Sequence, residues 1–397
     1  MRQPIKVMVV FGTRPEAIKM APVVLALQGD PRFQVVTVVT AQHRQILDQV
    51  LELFKITPDV DLNTMQPNQT LTGITVRVLE GLEPVLKEEA PQLLLVQGDT
   101  TTAMAGGLAA FYQKIAVGHI EAGLRTDKLY DPFPEEMNRR LLSRLAALQF
   151  PPTRWAYENL ARENLAGDST FITGNTVTDA LELILAQLPA GLPSRLPLVA
   201  TSPQEAGREL NLEEGRRFIL VETHRRENLG EPMAQICRAL RRLVERFQDV
   251  EILFSLHPNP KVREVVCPIL SGMERVRLLE PLPYTELLRL MRASYLIMTD
   301  SGGIQEEAPS LGVPTLVLRR TTERPEGIES GNALLAGCEE EEVYWLAAQL
   351  LEDEERYQKM ARTASPYGDG HSAQRILEAI AHYFWPQEYA APANFEP

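Results

Sequence analysis

The sequence is short of the residues that mark most cofactor and metal chemistry. Only three cysteines, Cys237, Cys267 and Cys338, occur in 397 residues. They share no metal-ligand spacing and are odd in number, which points to reduced thiols in a cytosol rather than a disulfide framework. Neither Gly-x-Gly-x-x-Gly nor Gly-x-x-x-x-Gly-Lys-Ser/Thr occurs, so a nicotinamide dinucleotide site and a P-loop are both unexpected. No His/Cys/Asp cluster has zinc spacing. The chemistry is therefore expected to need no redox cofactor and no metal. Long hydrophobic runs are missing too. The opening MRQPIKVMVVFGTRPE is too short to span a bilayer and has no signal-peptide cleavage site. Basic residues are in deficit, 40 against 53 acidic for a net charge of −13, which argues against a nucleic-acid surface. An anion must then be bound by local Arg, Lys and helix N-termini. These absences together predict a cytoplasmic protein with neither a membrane nor a nucleic acid as partner.

What is present is a pattern in two halves. A chain of 397 residues is long for one hydrophobic core and suits two domains. The first half has the apolar runs IKVMVVF, VVTVVT, LLLVQ and IAVGHI; the second has RFILVET, VEILFSL, YLIMTD and PTLVLR. Fully apolar strands separated by helical patterns predict parallel sheets covered on both faces. The fold class expected is α/β, with two doubly wound Rossmann-like domains facing a central cleft. The boundary falls near residues 172–180, giving domains 1–175 and 176–372, and residues 389–397 read as a flexible tail.

Open α/β sheets bind ligands at the carboxyl ends of their strands, and polar clusters follow the strands here. They are GTRPEAIK, QGDTTT and HIEAGLRT in the first half, and ETHRREN, HPNP and DSGGIQEE in the second. Ser301, Gly302 and Gly303 open a helix and suit an anion, with Glu307 positioned for ribose hydroxyls. The plain structural reading is a tight strand-to-helix turn. Arg14 and Lys19 can face an anion or simply be solvated. Asp99 can be catalytic or cap the helix beginning near Thr100. His224, beside Arg225 and Arg226, is a candidate acid or phosphate ligand, and His257 holds the same kind of position on the next strand. His119 receives no role. In GHIEAGLRTDKLYDPFPEEMNRR, Glu121 sits at a strand edge. Asp127 and Asp131 belong to a loop, while Glu135 and Glu136 have salt-bridge spacing to Arg139 and Arg140.

Taken in order, FGTRPEAIKMAP, QGDTTT, GHIEAGLRT, PFPEEMNRR, TGNTVTDAL, THRREN and TDSGGIQEEAPSLGVPTLVLRRTTERPEG resemble the non-hydrolysing UDP-N-acetylglucosamine 2-epimerases. The resemblance runs from residue 5 to about residue 385. It implies the GT-B arrangement of two domains, a last helix (373–388) crossing back to the first domain, and a homodimer. The implied reaction inverts C2 of UDP-N-acetylglucosamine to give UDP-N-acetylmannosamine, through loss and re-addition of UDP around a 2-acetamidoglucal, with no cofactor. It implies catalytic roles for Asp99, Glu121, Glu135 and His224. Nucleotide binding falls to Arg14, Lys19, Ser301, Gly302, Gly303, Glu307 and Arg324. Activation by the substrate itself, at a second site, falls to Gln42, Gln45, Arg77, Glu136, Arg225 and His257. A role in supplying cell-surface polysaccharide is implied as well. One departure is Leu287, within YTELLRLM, where several members stack an aromatic on uracil; Tyr284 is near. A GT-B glycosyltransferase, an epimerase of a diacetamido uronic acid nucleotide and a binding protein without catalysis are the alternatives weighed.

Overall fold

The computed structural model describes residues 3–40, 44–64, 66, 69–189, 191, 196–199, 209–210 and 215–397. The chain divides into two units, 1–184 with 367–397, and 185–366. In the first unit the apolar run IKVMVVF becomes strand β1 (Ile5–Phe11). It is followed by β2 (Phe33–Val39), β3 (Val60–Asp61), β4 (Leu93–Gln97), β5 (Ala116–Ile120) and β6 (Leu148–Phe150). The strands pair in the order β3-β2-β1-β4-β5-β6, every pair parallel. Val7 to Phe11 are completely buried, as a strand covered on both faces requires.

The second unit repeats the plan. After a short antiparallel pair, β7 (Leu196–Pro197) and β8 (Glu209–Leu210), come β9 (Arg217–Glu222), β10 (Val250–Ser255), β11 (Val276–Leu279), β12 (Leu296–Thr299), β13 (Thr315–Val317) and β14 (Ala333–Leu335). Their order is β11-β10-β9-β12-β13-β14, again all parallel. The helix Glu231–Arg246 shows why the chain folds this way. Met233, Ile236, Cys237, Leu240, Leu243 and Val244 recur at helical spacing and are all buried, each contributing about 1.5–3 kcal/mol by leaving water. The expected pair of doubly wound α/β units is what the molecule contains.

In each unit the strand order reverses direction once, between β1 and β4 and between β9 and β12. Helices leave toward opposite faces there, opening a crevice at the carboxyl ends. The helix Ser372–Phe384 belongs to the first unit and packs on the helix Arg14–Gly29. Asp179 caps it, accepting from the Ser372 amide at 3.2 Å and the Ala373 amide at 2.8 Å. The tail expected to be unstructured is instead docked. Phe395 is buried and donates its amide to the Ile172 carbonyl at 2.7 Å, while Asn394 Oδ1 accepts from the Ile172 amide at 2.9 Å. One aromatic with an apolar seat outweighs a composition that otherwise favours disorder. Among the described residues, no helix is long and apolar enough to cross a membrane.

Candidate active site

In the first unit, β1 ends at Gly12, where a Cβ would lie 2.0 Å from Thr40 Oγ1; only glycine fits. Thr13 caps the next helix, and Glu16 completes a capping box with it. The Glu16 carboxylate also accepts from the Gly12 amide at 3.0 Å and from Thr100 Oγ1 at 2.6 Å, so it ties the loop after β1 to the loop after β4. Burial pushes its carboxyl above the ordinary range, although these hydrogen bonds oppose the rise. Arg14 stands exposed at the helix start. Lys19, one turn on, is buried and donates from Nζ to Glu121 Oε2 at 2.5 Å.

Glu121 leaves β5 in a left-handed conformation, with φ 64°. The same Oε2 accepts from Gln97 Nε2 at 2.8 Å and Asn175 Nδ2 at 3.5 Å. Glu121 is thus a carboxylate held by a cation and two amides at the carboxyl end of β5. Asp99 does not cap the following helix; Thr100 does, accepting from the Ala103 amide at 3.0 Å. That leaves the Asp99 side chain to Arg139 Nη2 at 2.5 Å, and Asn138 Nδ2 holds the Asp99 carbonyl at 2.9 Å. One residue earlier, His119 Nε2 donates to the Gly98 carbonyl at 2.7 Å. His119 is completely buried, and burial drives its imidazole down to about 3, so it is neutral and serves the turn that presents Asp99.

The helix Glu135–Leu145 separates its two leading acids. Glu136 is fully buried and accepts from the Thr126 amide at 3.0 Å and Arg140 Nε at 2.9 Å, with Arg139 Nη1 at 3.4 Å. Glu135 is half-buried and makes no hydrogen bond or ion pair among the described residues. Asp127, in the loop before, accepts from Arg140 Nη2 at 2.9 Å.

In the second unit, Asp300 organises the loop after β9. Completely buried, it accepts from Thr223 Oγ1, from the His224 and Arg225 amides at 3.1 and 3.0 Å, and from Asn228 Nδ2 at 2.8 Å. His224 Nδ1 sits 2.9 Å from Glu222 Oε1. That hydrogen bond, outweighing burial, holds the imidazole above its ordinary 6.5. Glu222, His224 and Asp300 bring one ligand atom each within 4.8 Å of one another. Their hydrogen bonds to N–H and O–H donors use these atoms for protons rather than for a cation. The exposed His257 ring stacks on His224, 5.2 Å between centroids.

The turn after β12 runs through Ser301, Gly302 and Gly303 into the short helix Gly302–Glu307. Arg324 lies over Gly302, whose Cβ would meet the guanidinium carbon at 2.7 Å. It donates to Glu306 at 2.9 Å and to Glu323 Oε1 at 2.6 Å. Arg319 and Arg225 also face Glu323, at 2.5 and 3.7 Å. Burial works against ionisation there, yet Arg324, Arg319 and Arg225 hold the Glu323 carboxyl down at about 2. Glu307 is buried and accepts from Tyr284 Oη at 2.8 Å; Leu287 is half-buried one turn along the same helix.

Of the other expected positions, Arg77 clasps the segment before its own helix, donating to the Thr64 carbonyl at 2.9 Å and Gln69 Oε1 at 3.0 Å. Gln42 lies outside the described residues, and of Gln45 only the backbone is described, within the helix Arg44–Phe54. Sequence reasoning missed Glu16, Gln97, His119, Asn138, Arg139, Glu222 and Asp300. Glu222 and Asp300 carried a usable signal, since each is the acid closest to a strand end at the switch point. Glu16 carried one as well, the Thr-x-x-Glu spacing of a capping box with Thr13, whereas Gln97, His119 and Asn138, and Arg139 toward Asp99, have partners distant in the chain.

Residues 25–381 match the sequence model of a family described as UDP-N-acetylglucosamine 2-epimerase. The chain is similar to the UDP-N-acetylglucosamine 2-epimerase of Escherichia coli strain K12, 52% identical over 375 residues, or 94% of this chain and 98% of the relative. It is similar to that of Bacillus subtilis strain 168, 50% identical over 385 residues, or 97% of each chain. Among solved structures it is similar to the UDP-GlcNAc 2-epimerase from Neisseria meningitidis bound to UDP-GlcNAc. That match has a TM-score of 0.83 and 45% identity, over 95% of this chain and 99% of the other.

Proposed function

The chain belongs to the UDP-N-acetylglucosamine 2-epimerase family, and we propose that it inverts C2 by expelling UDP and adding it back. C2 of this sugar has no neighbouring carbonyl, so its proton is not acidic and direct removal faces a prohibitive barrier. Elimination avoids that barrier. A base takes the C2 proton, the C2–H electron pair becomes the C1=C2 bond of 2-acetamidoglucal, and the C1–O pair departs with UDP. Re-addition reverses these moves, with the proton delivered to the opposite face of C2. Asp99, Glu121 and Glu135 are the carboxylates assigned to the sugar, whose ring carries positive charge in the transition state. Ser301, Gly302, Gly303 and Arg324 are assigned to the diphosphate and Glu307 to the ribose, and His224 is assigned a catalytic role at the departing UDP. Arg14 and Lys19 add positive charge, Lys19 through its pairing with Glu121.

The observation that carries the reading is the contrast among the three acids. Asp99 and Glu121 each hold a cation at 2.5 Å, while Glu135 holds none among the described residues. Turnover of UDP-N-acetylglucosamine in deuterated water is expected to place deuterium at C2. Product sugar without label contradicts the scheme.

Activation by the substrate at a second site is part of the proposal, on the strength of the family resemblance. Of the residues implied for it, His257 is exposed and Arg225 half-buried, whereas Arg77 and Glu136 spend polar atoms on the protein itself. The same assay over a range of substrate concentrations is expected to give sigmoidal rates; hyperbolic rates remove the second site. A homodimer is likewise supported by the resemblance and by an apolar surface on the first unit.

A further inference from the structure

Glu222, the last residue of β9, has no step in the scheme above, yet it carries the histidine that does. Its Oε1 meets His224 Nδ1 at 2.9 Å, and its Oε2 accepts from Thr299 Oγ1 at 3.4 Å. A carboxylate offers only lone pairs, so Nδ1 bears the proton in this contact. Against the face of that ring lies His257, nearly parallel at 16°. His257 has the opposite arrangement. Its Nδ1 accepts from the Asn259 amide at 3.2 Å, so the proton of the neutral ring is on Nε2. Two stacked imidazoles are thus fixed in opposite tautomers by different partners. Asp300 anchors the His224 amide from beneath at 3.1 Å, which fixes the backbone that carries the ring.

We infer that Glu222 is the positioning residue of His224, pinning the Nδ1 proton so that Nε2 is the nitrogen that exchanges a proton with the substrate. The inference rests on the epimerase reading for the identity of that substrate. As UDP departs, a diphosphate oxygen gains the negative charge of the broken C1–O bond. The imidazolium Nε2–H faces that charge as a donor and can give up its proton to it. The other proton stays on Nδ1, donated to Glu222, and re-addition of UDP returns the transferred proton to Nε2. Without Glu222 the imidazolium is able to lose either proton, and loss of the Nδ1 proton leaves the wrong nitrogen bare. The groups facing His224 are Glu222 and Asp300, which favour its cation, Arg225, which opposes it, and the His257 ring. Burial and the charge of His224 in turn keep His257 below its ordinary 6.5.

The test is a pH titration of the full-length protein labelled with nitrogen-15 histidine, read by NMR, with H224N and H257N assigning the two signals. His224 is expected to titrate above 6.5, and its neutral form to hold the proton on Nδ1. His257 is expected to titrate below 6.5, with its proton on Nε2. In E222Q the His224 midpoint is expected to fall by roughly one to three pH units. The kcat should fall about 10- to 100-fold, the range seen when metal-bound histidines lose an orienting carboxylate, with KM close to that of the wild type. A wild-type His224 that titrates at or below 6.5, or whose neutral form is protonated on Nε2, overturns the inference without any variant having to fold. Deuterium exchange on the same sample keeps the two claims apart. The predicted titration without C2 exchange removes the epimerase reading and leaves the histidine pair standing, and C2 exchange with an ordinary His224 does the reverse.

Discussion

Neighbouring acids of one sequence, Glu135 and Glu136, have become opposite kinds of group. Adjacent residues on a helix point about 100° apart, so when one turns inward to the arginines its neighbour must face elsewhere. The spacing to Arg139 and Arg140 served either residue, and in the structure it is Glu136 that meets both, sharing Arg139 with Asp99. E136Q is expected to cost about 2 kcal/mol of stability, because a neutral amide cannot replace the charge-assisted hydrogen bonds of this fully buried carboxylate, even though Arg139 keeps Asp99 and Arg140 keeps Asp127. E135Q is expected to unfold like the wild type in urea and to lose activity more than about 100-fold. Equal stability losses in the two variants contradict this division. His119 makes a second case at this scale. It is neutral in the fold, held down to about 3 from an ordinary 6.5, so between those values the unfolded chain binds the proton more readily. Its contribution to stability is complete above pH 6.5 and fades as pH falls toward 3, with a slope of up to about 1.4 kcal/mol per pH unit. Urea unfolding from pH 7 to 4 is expected to show a steeper acid loss in wild type than in H119N; parallel curves contradict it.

At the scale of elements, the recurring device is a buried strand whose last residues turn polar and feed a helix. The strands of long apolar runs, such as β1, β4, β9 and β10, were legible in the sequence because burial on both faces leaves no polar alternation. The edge strands β3, β6 and β14, of two or three residues each, have too few side chains to make a pattern. The same contrast governs the site. Glu121 and the Ser301–Gly303 turn were visible because they directly follow strands. The grips on them were not, since Lys19 reaches Glu121 from 102 residues away and Arg324 reaches Glu306 across 18. The glycine turn also gives a prediction. In G302A the new Cβ meets the tip of Arg324, a flexible side chain that can swing aside. Stability is expected to stay within about 1 kcal/mol, while UDP affinity measured by calorimetry falls about tenfold through loss of charge-assisted hydrogen bonds. Unchanged UDP affinity contradicts the placing of Arg324 at the diphosphate.

At the scale of the whole molecule, the same doubly wound plan occurs twice, each time with a polar cluster at the carboxyl ends of the strands beside the switch point. The first unit also presents apolar side chains to solvent. Phe111 and Tyr112 end one helix, Met137 and Leu141 line the next, and Tyr130 and Phe133 lie between, exposed by 38% to 77%. The two helices approach closely enough that a Cβ on Gly107 would sit 2.5 Å from Leu142 Cδ1. Exposed apolar side chains grouped in this way are the basis on which self-association is expected. Sedimentation velocity is expected to show a dimer at micromolar concentration and a monomer for the double variant F111E/L141E; a monomeric wild type contradicts it. The central claim is that UDP leaves C1 and returns. It is tested most directly with UDP-N-acetylglucosamine carrying oxygen-18 in the bridge between C1 and the β-phosphorus. While UDP is free of the sugar, the β-phosphate turns and its three terminal oxygens become equivalent. The label is expected to scramble into non-bridging positions of recovered substrate as epimerisation proceeds. A label that stays in the bridge throughout turnover contradicts it.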